Sequence, residues 1–394
     1  MRIFQRATTL LTTVCHQYSN IFQPTCPAPI SSFTSMSTPS SNPLAPVIAV
    51  CHGGGPLPIL DDPAHADLIK SMRTRAPEIL GISSDPSKSN PPKAIVLVTA
   101  HWVETEPHIS SAQQHDLLYD YGGFPPEAYK LKYPAPGSPE IAKEISELLG
   151  KAGFKPVLDE KRGWDHGVFV PLSLIVPSAQ IPIIQVSILR SNSPAQHYAM
   201  GQALAPLRSR GIAIVGSGMP TFHNLRLMFS GIGSTPEYVA RNKEWSYRLT
   251  ETLKISDAEE RGKQLESWRS WAGAGDAHPE RGQDHFLPLV VCAGAGGNVS
   301  GKGWEDQVMG SPQCTTLLSL KKSGAWELCY RNVHDLSQIW KLSTMISGRR
   351  GTSIILAYIE VADPTSIPST VKISLRLFDT NLQSSISPPS TGKS

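Results

Sequence analysis

Val47-Ile48-Ala49-Val50 runs straight into Cys51-His52-Gly53-Gly54-Gly55-Pro56. The same arrangement returns at Ala94–Thr99 (AIVLVT), followed by Ala100-His101-Trp102, and at Ile212–Val215 (IAIV), followed by Gly216-Ser217-Gly218-Met219-Pro220-Thr221-Phe222-His223. Ile181–Ile188 (IPIIQVSI) is a fourth such run. Continuous β-branched runs, rather than alternating ones, belong to strands covered on both faces. Helical segments lie between them. Ser138-Pro139 opens one as N-cap and first-turn proline, Ile141, Ile145, Leu148 and Leu149 form its apolar stripe, and Gly150 is read as its end. Ser193-Pro194-Ala195-Gln196 opens another with a capping box, and Gly211 closes the segment before the next strand. Glu237–Leu253 and Asp257–Trp271 read as two more. Strand, helix, strand in this order predicts an α/β fold: a mostly parallel central sheet with helices on both faces, in a single domain over residues 46–310.

Composition supports one large core. The chain has 394 residues, 40% of them hydrophobic and only 18% charged, with a net charge of +3. That excludes full-length disorder. So small a charge, with no Lys/Arg run, argues against nucleic acid as a partner. No stretch of about 18 apolar residues occurs, so no membrane span is expected. The six cysteines form no CxxC pair, which argues against a thiolate zinc site and for a reducing compartment.

The ends differ from the core. Residues 1–45 contain no Asp or Glu and carry Arg2 and Arg6 among Thr, Ser and Pro. They read as a transit peptide or a disordered extension. The expected compartment is cytoplasmic, with mitochondrial as the alternative. Residues 311–394 form a C-terminal extension in which only Thr352–Val361 and Val371–Phe378 look like strands.

In such a sheet, ligands sit beyond the carboxyl ends of the strands. His52, His101 and His223 fall there, the first followed by Gly53–Gly55 and the third preceded by Gly216 and Gly218, glycines that let a backbone approach a bound group. Two more histidines have sharp local contexts: His166 in Arg162-Gly163-Trp164-Asp165-His166-Gly167, and His285 in Asp284-His285-Phe286-Leu287-Pro288-Leu289. His16, His65, His108, His115, His197 and His334 lack such placement and read as surface or packing residues. A lone buried histidine is more often a hydrogen-bonded core residue than a ligand. Several meeting at one rim instead suit catalytic zinc or non-haem Fe(II) with open positions. No HExxH excludes a zincin. The His52-Gly-Gly-Gly segment is like an esterase oxyanion loop, but the chain contains no GxSxG elbow. Gly294–Gly297 (GAGG) lacks the P-loop spacing.

Six ordered motifs together resemble the class III extradiol ring-cleavage dioxygenases, most closely the single-chain 4,5-DOPA extradiol dioxygenase-like branch. They are HGGGP, AHW, Tyr119–Glu140 (YDYGGFPPEAYKLKYPAPGSPE), Gly163–Leu172 (GWDHGVFVPL), HNL at His223–Leu225 and HFLPL at His285–Leu289. The resemblance spans roughly residues 46–310. It implies one divalent metal per chain, Fe(II) or Zn(II), with His52, His101 and His285 as metal ligands. It implies that His223 is catalytic base or fourth ligand, and that His166 is a catalytic or substrate-contacting histidine. Trp102, Phe124 and Tyr129 are then the expected lining of a pocket for a small aromatic catechol, with O₂ as co-substrate. The implied activity is extradiol ring opening of a catechol such as DOPA. The alternatives are a zinc-dependent hydrolase or an inactive binding protein on the same scaffold. The chain departs from the branch in Asp284, where an acidic Glu is usual, and in both terminal extensions. Oligomeric state is not legible.

Overall fold

The structure, a computed structural model, describes residues 43–308 except 231, 233 and 234, together with the backbone of four strands at Ser311–Leu317, Lys341–Ser347, Thr352–Glu360 and Lys372–Phe378. The arm read as a transit peptide, but for its last residues, lies outside the described residues. Among the described residues the order is β1 (Val47–Cys51), α1 (Ala66–Arg73), α2 (Arg75–Ile79), β2 (Ala94–Glu104), β3 (His108–Ser110), α3 (Pro139–Lys151), β4 (Val157–Asp159), α4 (His166–Ile175) and β5 (Ile183–Leu189). Then come α5 (Pro194–Leu204), β6 (Ile212–Gly218), α6 (Leu225–Phe229), α7 (Pro236–Lys254), α8 (Ala258–Glu266), α9 (Ala274–Ala277), α10 (Leu287–Gly296), β7 (Lys302–Val308), β8 (Ser311–Leu317), β9 (Lys341–Ser347), β10 (Thr352–Glu360) and β11 (Lys372–Phe378).

The main sheet has the strand order β4-β3-β5-β2-β6-β1-β8-β7. Its centre, β5-β2-β6-β1, is parallel throughout, and antiparallel pairs join β3 to β5 and the β7–β8 hairpin to β1. The apolar runs are continuous because each face of these strands has its own helical layer. Val47, Ala49, Val96, Val98, Ile184 and Ile214 pack with Ile145, Met200, Leu204, Leu249 and Val290. Their neighbours Ile48, Val50, Ile95, Leu97, Ala213 and Val215 pack on the other side with Leu68, Met72, Val168, Phe169 and Leu172. Each fully buried Val, Leu, Ile, Phe or Met among them stabilises the fold by roughly 1.5–3 kcal/mol.

The N-caps fall where expected. Ser138 Oγ accepts from Ile141 N, and Ser193 Oγ from Gln196 N. The first of these helices runs past Gly150 to Lys151, and Gly153 takes the left-handed φ of 92° instead. Gly211, at φ 84°, closes a 3-10 turn that continues the second. The stretch read as one helix from Asp257 to Trp271 breaks at Glu266 and resumes as a 3-10 turn over Trp268–Ser270. The GAGG segment is the end of buried α10. A Cβ at Gly294 would collide with the Tyr198 carbonyl, and one at Gly201 with the Val291 carbonyl. These glycines let α10 and α5 touch backbone to backbone.

Ser311–Leu317 adds a strand against Ile48 and Ala49 of β1. The two strands expected in the C-terminal extension occur as β10 and β11, in an antiparallel sheet of order β11-β10-β9. No helix among the described residues is long and apolar enough to cross a membrane.

Candidate metal centre

His52 leaves the carboxyl end of β1 with its backbone N–H on the Gly218 carbonyl of β6, at 2.9 Å. Its Nδ1 lies 3.0 Å from Ser217 Oγ. The Ser217 hydroxyl itself donates to the Gly167 carbonyl. With that proton committed, His52 Nδ1 must be the donor in the pair, and the Nε2 lone pair is left bare.

His101 lies inside β2 rather than beyond it. The ladder between β2 and β5 shifts register between Thr99 and Val103, so Ala100–Trp102 bulges out of the pairing and re-aims the side chain. Thr99 Oγ1 accepts from His101 N at 3.1 Å and donates to Asp165 at 2.8 Å. Arg162 donates to both the His101 carbonyl and the Asp165 carboxylate. His101 Nδ1 faces Asp120 Oδ2 at 3.3 Å. A carboxylate only accepts, so this ring too is protonated on Nδ1 and bare on Nε2.

His285 precedes α10. Its carbonyl accepts from Met219 N. A Cβ at Gly218 would collide with that carbonyl, so glycine is what allows the end of β6 this close. His285 Nδ1 donates to Asp284 Oδ2 at 2.7 Å. Asp284 therefore reaches its own neighbour's ring.

Ligand atoms of His52, His101 and His285 all lie within 4.8 Å of one another. The Nε2 atoms of His52 and His101 are 3.2 Å apart. Burial, reinforced by the neighbouring imidazoles, pushes His52 and His285 well below the ordinary histidine range, so both stay neutral as ligands require. Three imidazoles, each with Nδ1 held by an oxygen and with ligand atoms within 4.8 Å of one another, fit a divalent metal of the iron–zinc kind.

The structure brings the other two histidines to the same place. His166 opens α4, its ring centroid 3.9 Å from that of His101. Its Nδ1 donates to Asp120 Oδ1 at 2.8 Å. His223 stacks on His285 at 3.5 Å and 16°. Its Nδ1 is buried with no hydrogen-bond partner among the described residues, and burial lowers its pKa to about 4. Phe124 lies over Gly55 and touches Tyr121, whose ring is 5.8 Å from His166; Tyr129 packs on Tyr121 from another side. Trp102 has a different environment: its ring contacts His108 and Arg162, and Nε1 donates to Glu104.

Several contributors were not legible. Asp120 sits between two tyrosines in a stretch with no period, and only the loop's approach to His166 gives it a role. Burial alone would raise its carboxyl, but hydrogen bonds from His101 and His166 outweigh that and hold it well below the usual carboxylate range. His65, read as a packing residue, is fully buried beneath the glycine loop. Its Nε2 accepts from Gly54 N at 3.0 Å and its Nδ1 donates to Asp62 at 2.6 Å. His278 is structural: it donates to the Pro220 carbonyl and packs on Trp245, Trp268 and Phe286. Burial pushes it down to about 3.

An α/β sheet thus carries, at its carboxyl edge, a cluster of imidazoles that could hold a metal ion, and the comparisons with known proteins give its family. The signature of the family described as "Catalytic LigB subunit of aromatic ring-opening dioxygenase" matches residues 64–315. Dioxygenase tasH of Hapsidospora irregularis is 50% identical over 260 residues, covering 64% of this chain and 78% of that protein. The 4,5-DOPA dioxygenase extradiol of Beta vulgaris is 40% identical over 213 residues, covering 54% of this chain and 76% of that protein. The protein of the same name from Escherichia coli is 33% identical over 260 residues, covering 64% of this chain and 84% of that one. A crystal structure of an uncharacterized Escherichia coli K12 protein superposes with a TM-score of 0.51 at 28% identity, covering 69% of this chain and 98% of that one. The chain belongs to the LigB family, and is an extradiol aromatic ring-opening dioxygenase.

Proposed function

We propose that this chain opens the ring of a catechol such as DOPA beside one of its hydroxyls, with both atoms of O₂ entering the product. What carries the reading is the convergence of three bare Nε2 atoms, on His52, His101 and His285, each backed by an oxygen on Nδ1. These residues would hold one Fe(II). When bound, that ion supplies acidification of the catechol hydroxyls and an electron path between ring and O₂. His223, kept neutral by burial, accepts the second phenolic proton. His166, anchored through Nδ1, offers its bare Nε2 as a hydrogen-bond partner for substrate oxygen. Tyr121 and Phe124 present ring faces to an aromatic substrate. The Tyr121 hydroxyl is already spent on the Ala128 carbonyl.

The support for DOPA as substrate is the naming of the Beta vulgaris and Escherichia coli relatives. The donor set alone equally suits Zn(II), which cannot exchange electrons with O₂. The test is to load metal-free protein with Fe(II) under anaerobic conditions and then add DOPA and air. A yellow, ring-opened product is expected. Zinc-loaded protein that cleaves esters or amides, beside iron-loaded protein that leaves DOPA intact, would replace this reading with a hydrolase.

A further inference from the structure

We infer that Asp120 is a positioning residue whose single carboxylate fixes the tautomers of His101 and His166 together, and so ties a metal-holding imidazole to a substrate-contacting imidazole; this rests on the function proposed above. Oδ1 accepts from both Nδ1 and the backbone N–H of His166, at 2.8 and 3.0 Å. Oδ2 faces His101 Nδ1 at 3.3 Å. Each oxygen therefore holds one ring with its proton on the outer nitrogen and its lone pair on Nε2.

The carboxylate is itself held in place. Its backbone N–H donates to the Leu118 carbonyl. The flanking Tyr119 and Tyr121 hydroxyls are tied to the Leu131 and Ala128 carbonyls at 2.7 and 2.6 Å. Both tyrosine rings lean on Phe169 of α4, the helix that His166 begins. Leu117 bridges Trp164, just before that helix. The Asp120 side chain is 19% exposed, although the residue as a whole, backbone included, is open to solvent.

An amide cannot do this job. Asp120→Asn has one acceptor oxygen and one donor nitrogen in place of two acceptors. The oxygen goes to His166, which offers two N–H donors. The NH₂ then faces His101 and drives its ring to the other tautomer, with the proton on the nitrogen that should bind metal.

The experiment titrates metal-free wild-type and Asp120→Asn protein with Co(II), following the absorption of the bound ion. The expected result is a loss of affinity of about 10- to 100-fold in the variant, with unchanged circular dichroism. Wild-type affinity in Asp120→Asn would overturn this inference alone. Failure of the wild type to take up Co(II) would overturn the metal-centre reading on which it rests. If the variant does not fold, ¹⁵N NMR of the metal-free wild type decides. Protonated Nδ1 and bare Nε2 on both rings support the inference, and a protonated Nε2 on either overturns it.

Discussion

The Nε2 atoms of His52 and His101 stand 3.2 Å apart while both Nδ1 atoms are already engaged, His52 on Ser217 Oγ and His101 on the Asp120 carboxylate. Two lone pairs thus face each other at hydrogen-bond distance with no proton of their own to share. A cation between them turns that repulsion into coordination. Ser217 is the weaker of the two backing groups and the simpler to remove. Ser217→Ala leaves the buried His52 Nδ1–H without its acceptor and the Gly167 carbonyl without its donor. Metal affinity is expected to fall about 10- to 100-fold, and stability by roughly 1–3 kcal/mol. Metal titration and urea unfolding measure the two separately. Unchanged metal affinity would mean that Ser217 does not set the His52 tautomer.

Much of this centre could be seen in the sequence, because strands covered on both faces announce themselves as unbroken apolar runs and their ends are few. VIAV, AIVLVT and IAIV gave away three histidines in that way. His101 does not sit past the end of its strand as the apolar run suggests: it lies in a bulge within β2, at a register shift that no local pattern encodes. Asp120, Ser217 and His65 stayed hidden for another reason. Each acts through a hydrogen bond to a residue 46, 165 or 11 positions away, and a polar residue in a loop has no periodicity to betray its partner. Trp102 has a neighbourhood that sequence adjacency does not give. It is adjacent to His101 within the same bulge, and its ring meets Arg162 and His108.

Packing between α5 and α10 is expected to control His285 from a distance. Gly201 lies against the Val291 carbonyl with no room for a Cβ, and α10 begins two residues after His285. Gly201→Ala must push the two helices apart. It is expected to cost about 1–3 kcal/mol and to weaken metal binding as well, since the helix that follows His285 moves. Denaturant unfolding and metal titration check this. A stability loss with metal affinity intact would show that the turn before α10 absorbs the shift.

His197 is expected to make stability depend on pH. Buried in α5, its Nε2 accepts from Leu189 N at 2.9 Å and its Nδ1 donates to the Ser193 carbonyl at 2.7 Å. A second ring proton would face the Leu189 N–H, and burial lowers the pKa from 6.5 to about 4. Above pH 6.5 neither the folded nor the unfolded chain protonates this residue, and its contribution is complete. As pH falls from 6.5 towards 4, the unfolded chain binds a proton that the fold refuses, and stability is lost at up to roughly 1.4 kcal/mol per pH unit. His197→Gln cannot titrate. It should be less stable than wild type at pH 7.5, with the gap narrowing as pH falls to 4. A gap that stays constant across this range would refute the assignment.

His223 is where ligand and base come apart. Its ring stacks on His285, its backbone N–H is fixed on the Ala277 carbonyl, and its Nδ1 lacks a partner among the described residues. On the proposed assignment His52, His101 and His285 hold the metal without it, although His223 also groups with Asp284 and His285 within 4.8 Å. His223→Ala is therefore expected to keep its metal and lose turnover by about 10²- to 10⁴-fold, the range of a missing general base. The backbone bond to Ala277 survives the substitution, so the chain path is unaltered and the space of the ring is left open. Added imidazole should then restore part of the turnover while leaving metal content unchanged. Loss of metal and turnover in equal proportion, with no rescue, would instead make His223 a fourth ligand.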